Sequence, residues 1–181
     1  MIPSKGLLLI ADPFLKDPNF MRTVVFICEH QEEGTFGFIL NKAYEYTLDE
    51  LVTGTEGLKI PVYSGGPVQR DTIHILHQYP DLMGGLKVLN GVYWGGDFEK
   101  AIELIRTGDV KEENIRFFIG YSGWGEGQLD EELKEKTWLT VEATKGILFH
   151  QPVGETWKEA LRLMGGEYKT LINYPIDPSL N

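Results

Sequence analysis

Short runs of Val, Ile, Leu and Phe mark the first half of the chain and predict β-strands, because such side chains fit a half-buried pleated surface. The clearest runs are Leu7–Ala11, Thr23–His30 and Thr35–Asn41. The last two are joined by Gln31-Glu32-Glu33-Gly34, a connection of hairpin length. Further short strands are predicted at Val62–Ser64, Thr72–His77 and Leu86–Leu89. This half therefore predicts an antiparallel sheet.

The second half alternates between helical and strand patterns. Asp97 is suited to cap a helix that ends near Gly108, and Thr47 with Glu50 forms a capping-box pattern. Helices are predicted at Thr47–Val52, after Asp97, at Gln128–Lys136 and at Thr156–Met164; strands are predicted at Ile115–Gly120, Trp138–Glu142 and Ile147–His150. The tail, Asn173–Asn181, contains two prolines and is expected to follow the surface. Together these elements predict the α+β class.

Length, charge and cysteine content limit the number of domains and the function classes that this chain can have. A chain of 181 residues predicts one domain, 1–181. The formal charge of 17 − 27 = −10 excludes an extended basic surface, so direct nucleic-acid binding is not expected. Cys28 is the only cysteine, which excludes an intrachain disulfide, and no apolar run is long enough for a signal peptide or membrane span. We expect a cytoplasmic protein, and the sequence predicts no cofactor.

The glycine-rich stretch Gly120–Gln128 joins a predicted buried strand to a predicted helix. The candidate ligand-binding residues in it are Ser122, Gly123, Trp124, Gly125, Gly127 and Gln128. As a loop it would aim free N–H groups and a helix N-terminus at one point, which favours an anion. As a sharp turn it would instead place Trp124 in the core. Phosphate-loop, dinucleotide and nucleophile-elbow motifs are each incomplete here, which argues against a catalytic Ser122.

The histidines do not predict a metal site. His74 and His77 would point to opposite faces of a strand, and Cys28 with His30 supplies two ligands where zinc takes three or four. We interpret His30 as a hydrogen-bonded structural residue rather than a catalytic base. Weaker binding candidates are His30, Asn41, Gly65, Gly66 and Arg70, of which the Gly65-Gly66 pair is typical of a rigid turn.

Several stretches, taken in order, resemble the YqgE/AlgH family of bacterial proteins. They are Gly6–Ala11 with Pro13, Phe20, Thr23-Val24-Val25, Glu29-His30, Gly34, Gly37, Leu40-Asn41, Gly65–Val68, Gly95-Gly96-Asp97, Gly120–Trp124, Gly127-Gln128-Leu129 and Trp138. The resemblance implies an α+β fold in which helices surround a branched, mostly antiparallel sheet with a small closed β-barrel. It also implies a label of transcriptional regulator, and it brings no catalytic residues.

Two functions from different classes follow. The first is a cytoplasmic, non-enzymatic regulatory module that binds a protein partner rather than DNA. The alternative is a small-molecule or anion-binding protein, with enzymatic activity left open, that uses the Gly120–Gln128 segment. The sequence predicts no oligomeric state.

Overall fold

The computed structural model describes residues 2–175, whose nine strands belong to one connected sheet. The strands are β1 (Leu7–Ala11), β2 (Val24–Gln31), β3 (Gly34–Ile39), β4 (Val62–Ser64), β5 (Val68–His77), β6 (Leu86–Leu89), β7 (Val92–Trp94), β8 (Ile115–Gly125) and β9 (Trp138–Glu142). The α-helices are α1 (Leu48–Leu51), α2 (Pro80–Met83), α3 (Phe98–Thr107), α4 (Gln128–Lys134), α5 (Lys145–Leu148) and α6 (Thr156–Met164). Single 3₁₀ segments span Glu112–Asn114, Val153–Glu155 and Gly166–Asn173.

The sheet branches at β8. The strand order is β6-β7-β5-β8-β3-β2-β1-β9, and β4 joins β8 outside this path. The β4–β8 pair is parallel and the other pairs are antiparallel. At the branch point Gly65 N–H donates to the Ile119 carbonyl, and Ile39 N–H donates to the Gly65 carbonyl. The expected branched, mostly antiparallel sheet is therefore present.

The closed barrel implied by the resemblance is wrong. The sheet curls into an open half-barrel, because β6 and β9 stand at opposite ends of the strand order and are not paired with each other. A closed barrel needs a ladder that joins the last strand to the first. Both faces of the sheet are nevertheless covered at β1 and β2, which explains the nearly continuous apolar runs in these two strands.

Helices on the two faces complete the core. From α6, Trp157 donates its indole N–H to the Ala11 carbonyl at 2.9 Å. On the opposite face α4 buries Leu129 against Leu9 and Val25. The branch carrying β4 and β5 forms a separate apolar cluster with α3. These contacts pack helices against both faces of the sheet at β1 and β2.

Most of the predicted helices and strands are present, and local capping residues explain one prediction that is wrong. Asp97 Oδ1 accepts from Lys100 N–H at 3.0 Å and caps α3 as predicted. The predicted strand at Ile147–His150 is wrong, because Thr144 caps a helical turn there and accepts from Ile147 N–H at 3.3 Å. The prediction also missed β7 and α2. The predicted surface path of the tail lies outside the described residues from 176 onwards.

Candidate functional site

The segment expected to be a loop is a strand as far as Gly125. In the ladder between β8 and β3, Ser122 pairs with Gly37 and Trp124 pairs with Thr35. The loop interpretation is therefore wrong for this part, since the backbone extends the sheet rather than curling around a ligand. Only Glu126-Gly127 forms a turn, and α4 after it is seven residues long.

The polar atoms of the strongest candidates have partners within the fold. Ser122 is fully buried, and its hydroxyl donates to the Gly65 carbonyl at 3.1 Å. Trp124 is buried, and its indole N–H donates to Glu132 Oε2 at 2.8 Å. Gln128 accepts from Gly125 N–H at 3.0 Å and donates to Glu132 at 3.2 Å. These side chains stabilise the junction of β8 and α4.

Three of the four glycines in the segment, Gly123, Gly125 and Gly127, remain exposed. A Cβ at Gly123 would lie 3.4 Å from the Tyr121 ring, an ordinary van der Waals distance, and a Cβ at Gly125 would meet nothing within 4 Å. Gly127 has φ of +71°, so only its position requires the freedom of glycine in the turn. Gly123 and Gly125 thus leave open space above the sheet without a backbone requirement.

Among the weaker candidates, His30 and Asn41 also bind within the fold. His30 Nδ1 and the Thr35 hydroxyl share a hydrogen bond across the hairpin. Asn41 accepts from Val24 N–H and donates to the Arg22 carbonyl, both at 2.9 Å, so its amide extends the ladder beside β2. This satisfies backbone groups that would otherwise lack partners.

Gly65 and Gly66 permit a close approach of backbones at the branch point. A Cβ would lie 2.5 Å from the Gly120 carbonyl oxygen at Gly65 and 2.2 Å from the Tyr121 carbonyl at Gly66. Arg70 is exposed, and its guanidinium lies 5.6 Å from the centre of the Tyr44 ring. Of these three residues, Gly65 contacts Ser122 through the hydrogen bond given above, whereas Arg70 packs over Tyr44 instead.

An open depression of about 450 Å³ lies on the face of the sheet that carries Tyr121. We call it the acidic cleft; its lining residues are Glu29, Gln31, Glu33, Gly34, Thr35, Phe36, Val68, Tyr121, Gly123 and Trp124. Its volume falls within the usual range of roughly 300–1,000 Å³ for small-molecule sites. Gln31 donates to Glu29 at 2.6 Å, so one carboxylate is held in place.

Aromatic rings form the inner wall of the acidic cleft. The Phe36 ring centre lies 4.8 Å from that of Trp94 and 5.7 Å from that of Tyr121. His74 lies 6.1 Å from the Tyr121 ring, and burial lowers the pKa of His74. His74 Nε2 and Trp94 Nε1 are buried and have no hydrogen-bond partner among the described residues. The cluster is thus apolar in character and faces carboxylates at the cleft.

A second depression of about 240 Å³ is also acidic. Its lining includes Glu32, Glu126 and Asp130, together with Gly125 and Gly127. No residue lining either depression, within the described part of the chain, is Lys or Arg. Because carboxylates repel anions, the charge around Gly120–Gln128 is unsuited to the anion that the loop hypothesis required.

Sequence reasoning missed Glu29, Glu33, Phe36 and Tyr121 as cleft residues. Glu33 belongs to a short hairpin connection, and Phe36 belongs to an ordinary apolar run. The pairing of β3 with β8 brings Phe36 beside Gly123, a contact between distant parts of the chain. Period-two alternation places Tyr121 and Gly123 on one face once β8 is known to be a strand.

Residues 2–175 also bear on metal binding, membrane insertion and thiol chemistry. Within that range no group of three or more His, Cys, Asp or Glu residues is placed to hold a metal ion. None of the helices there is long and apolar enough to cross a membrane. Cys28 is buried, and burial raises the pKa of its thiol well above the ordinary value.

Known proteins are similar to this chain along most of its length. The AlgH-like family model, DUF179, matches residues 8–169. A UPF0301 protein from Chlorobium limicola is 44% identical over 177 residues, which are 97% of this chain and 95% of that protein. A UPF0301 protein from Cytophaga hutchinsonii is 41% identical over 180 residues, covering 98% of this chain and 99% of that protein.

Two solved structures share the architecture. The solution structure of AlgH from Pseudomonas aeruginosa is 29% identical and has a TM-score of 0.71, with 97% of both chains covered. The crystal structure of DIP2367 from Corynebacterium diphtheriae has a TM-score of 0.80 at 18% identity, covering 96% of this chain and 94% of that one, and shows likeness of fold alone. The family matches confirm the resemblance drawn from the sequence.

Proposed function

Because the chain belongs to the AlgH-like family, we propose that it is a cytoplasmic, non-enzymatic regulatory module that binds a protein partner. The partner contributes a basic segment, which the acidic cleft receives. One observation carries this proposal: two carboxylates, Glu29 and Glu33, stand beside the aromatic rings of Phe36 and Tyr121. The relatives' names do not specify a partner, so the chemistry of the cleft defines it.

Arg and Lys side chains suit such a surface in two ways. Their methylene stems pack against apolar rings while the charged head stays near water or a carboxylate. A guanidinium or ammonium over an aromatic face contributes about 0.5–1 kcal/mol at an exposed site. Tyr121 and Phe36 are half-buried, so part of each ring is available to such a contact.

DNA is a poor partner for the acidic cleft because both carry negative charge. Phosphates would meet the carboxylates of the cleft, and the chain carries a formal charge of −10. DNA binding rests on Lys and Arg contacts to phosphate. We therefore place any regulatory role, which the family resemblance suggests, at the level of protein binding.

The polar side chains of the candidate residues in Gly120–Gln128 form hydrogen bonds within the fold, and this supports a non-enzymatic role. Ser122 is fully buried with its hydroxyl bound to Gly65, and the Glu132 carboxylate is held by Trp124 and Gln128. A nucleophile needs a base within hydrogen-bond reach and access to substrate. The alternative function, binding of a small molecule, is favoured by the size of the cleft, and the charge there selects a cation rather than an anion.

The test measures binding of a fluorescein-labelled peptide, (Arg-Gly)₄, by fluorescence anisotropy at 150 mM salt. Gly123→Val fills the acidic cleft from a strand position that tolerates a Cβ. Gly125→Val is the matched control on the same strand, since it lines the second depression instead. We expect Gly123→Val to weaken binding at least tenfold and Gly125→Val to change it less than twofold.

Other outcomes separate the alternatives. Equal binding of a (Glu-Gly)₄ peptide, no saturable binding of (Arg-Gly)₄, or an equal loss in both glycine variants would each contradict the cleft as the site. Saturable binding of a small organic amine with no binding of the peptide would favour the small-molecule alternative. Retardation of duplex DNA at 150 mM salt would contradict the exclusion of DNA.

A further inference from the structure

Arg116 is a buried guanidinium without an ion pair. It lies on β8, is 4% exposed, and donates to the His150 carbonyl at 2.7 Å. Its guanidinium lies 4.6 Å from the centre of the Tyr63 ring. No carboxylate of the described residues forms a salt bridge with it. Burial lowers the pKa of Arg116, yet an arginine side chain stays charged in proteins.

This arrangement is unfavourable for stability alone. Arginine is almost never fully buried unless it is paired, and an uncompensated buried charge is strongly destabilising. Arg116 Nη1 has no hydrogen-bond partner and is closed to solvent. One hydrogen bond to His150 and one aromatic contact leave its charge uncompensated. Its unpaired charge therefore points to a partner that the described residues do not supply.

A separate cavity of about 200 Å³ lies against Arg116, away from the acidic cleft. Ile60, Pro61 and Tyr63 contribute to its walls. Gln151 is exposed and donates to the Tyr63 hydroxyl at 2.6 Å. Because the Arg116 guanidinium lies over the Tyr63 ring, the Gln151 side chain is close to it. Glu112 and Glu113 also line the cavity and are exposed. The cavity thus has a buried positive end and an exposed negative end.

We propose that this cavity is a binding site for a small zwitterionic carboxylate of amino-acid type. The carboxylate of the ligand pairs with the Arg116 guanidinium, which has no ion-pair partner in the protein. The ammonium group of the ligand faces Glu112 and Glu113. Nη1 is closed to solvent, so binding requires a rearrangement of the cavity wall, in which Gln151 is an exposed polar side chain. A carboxylate oxygen accepts a charge-assisted hydrogen bond from a guanidinium N–H, and Nη1 is the nitrogen of Arg116 that has no other partner.

The two acidic residues set the selectivity. A phosphate dianion would meet both carboxylates at the cavity entrance and gain nothing from them. Acetate would satisfy Arg116 but leave Glu112 and Glu113 without a counter-charge. We therefore expect glycine or alanine to bind at least tenfold more tightly than acetate or inorganic phosphate at equal ionic strength.

The experiment follows ¹H–¹⁵N chemical shifts, including the Arg116 Nε–Hε group, during titration with glycine, alanine, acetate and inorganic phosphate. The proposal predicts saturable shifts at Arg116, Tyr63 and Gln151 for the two amino acids. Absence of saturable shifts up to 100 mM would overturn it. Saturation by phosphate alone, or shifts centred on the acidic cleft, would also overturn it.

Two variants test the residue itself. Arg116→Met keeps the length of the side chain without its charge, and we expect glycine affinity to fall at least tenfold. Arg70→Met is the matched control, because Arg70 also lies over a tyrosine ring but is exposed. Glu113→Gln, which leaves Arg116 intact, serves if Arg116→Met does not fold, and it should weaken glycine binding without affecting acetate. Unchanged glycine affinity in the folded variant used would overturn the proposal.

Discussion

His74 stands in the aromatic cluster behind the acidic cleft with one ring nitrogen unused. Its ring centre lies 5.1 Å from that of Phe38 and 6.2 Å from that of Trp94, and Nε2 is buried without a partner. A buried unsatisfied polar atom costs about 1–3 kcal/mol. We expect His74→Phe to raise the free energy of unfolding at pH 7.5 by about 1 kcal/mol, measured by urea denaturation.

The pH dependence of that variant checks the cause. Burial lowers the pKa of His74, so below the unfolded value of about 6.5 the unfolded chain binds more protons than the folded one. The stability of the wild type is then lost as pH falls below 6.5, by at most about 1.4 kcal/mol per pH unit for this histidine. The advantage of His74→Phe should widen between pH 7.5 and 5.5; a constant difference would contradict the explanation.

Single residues also show the limit of sequence reasoning. The Gly65-Gly66 pair predicts a turn in the sequence. In the structure, glycine is required at these positions because the Gly120 and Tyr121 carbonyls approach so closely that a Cβ would clash with them. These partners lie more than fifty positions away along the chain, so no local pattern reports them. The glycine-rich stretch predicts a loop in which the Ser122 hydroxyl could bind a ligand, but Ser122 is fully buried in the structure.

At the scale of elements, α4 is attached to the sheet through Glu132. Its Oε2 accepts the indole N–H groups of Trp124 and Trp138, each at 2.8 Å. Both indoles belong to buried residues. Removing the carboxylate leaves two donors unsatisfied, and each such loss costs about 1–3 kcal/mol. We expect Glu132→Ala to lower the free energy of unfolding by about 2–4 kcal/mol, measured by urea denaturation.

Glu131→Ala is the control for this prediction. Glu131 is exposed and pairs with Lys134 one turn away at 2.6 Å, and an exposed pair of this kind contributes little to stability because solvent screens it. Glu132→Gln keeps one acceptor oxygen and should fall between the two alanine variants. Equal losses for Glu131→Ala and Glu132→Ala would show that helix propensity, rather than the indole bonds, determines the effect.

Elements with local signals were predicted well. The helix α6 has the predicted bounds because its apolar positions repeat at helical spacing and Gly165 ends it. The strands β1, β4, β6 and β9 also match the prediction. The extension of β8 to Gly125 was missed, because the three glycines of this strand contradict strand propensity and only pairing with β3 overrides it.

At the scale of the whole molecule, the open half-barrel brings the hairpin between β2 and β3 beside the end of β8. This places Glu29 and Glu33 near Tyr121, a combination that arises from strand order alone. The hydrophobic pattern of a single sequence predicts individual strands, but it does not indicate which distant strands pair with each other. The fold class was therefore accessible from the sequence, whereas the acidic cleft was not.

The last prediction separates the cleft from the charge of the whole molecule. Glu29→Gln with Glu33→Gln, and Glu99→Gln with Glu103→Gln on the exposed side of α3, each change the formal charge from −10 to −10 + 2 = −8. At 150 mM salt, where the Debye length is about 8 Å, only nearby charges act on a bound peptide. We expect the cleft pair to weaken (Arg-Gly)₄ binding at least tenfold and the α3 pair less than twofold.

Association kinetics at low salt complete this comparison. At 10 mM salt the Debye length is about 30 Å, so the field of the whole protein steers a basic peptide from a distance. Both double variants should then slow association to a similar degree, while only the cleft pair speeds dissociation. Stopped-flow fluorescence measures both rates. If the two pairs behave alike at 150 mM salt as well, binding depends on net charge, and the acidic cleft is not the site.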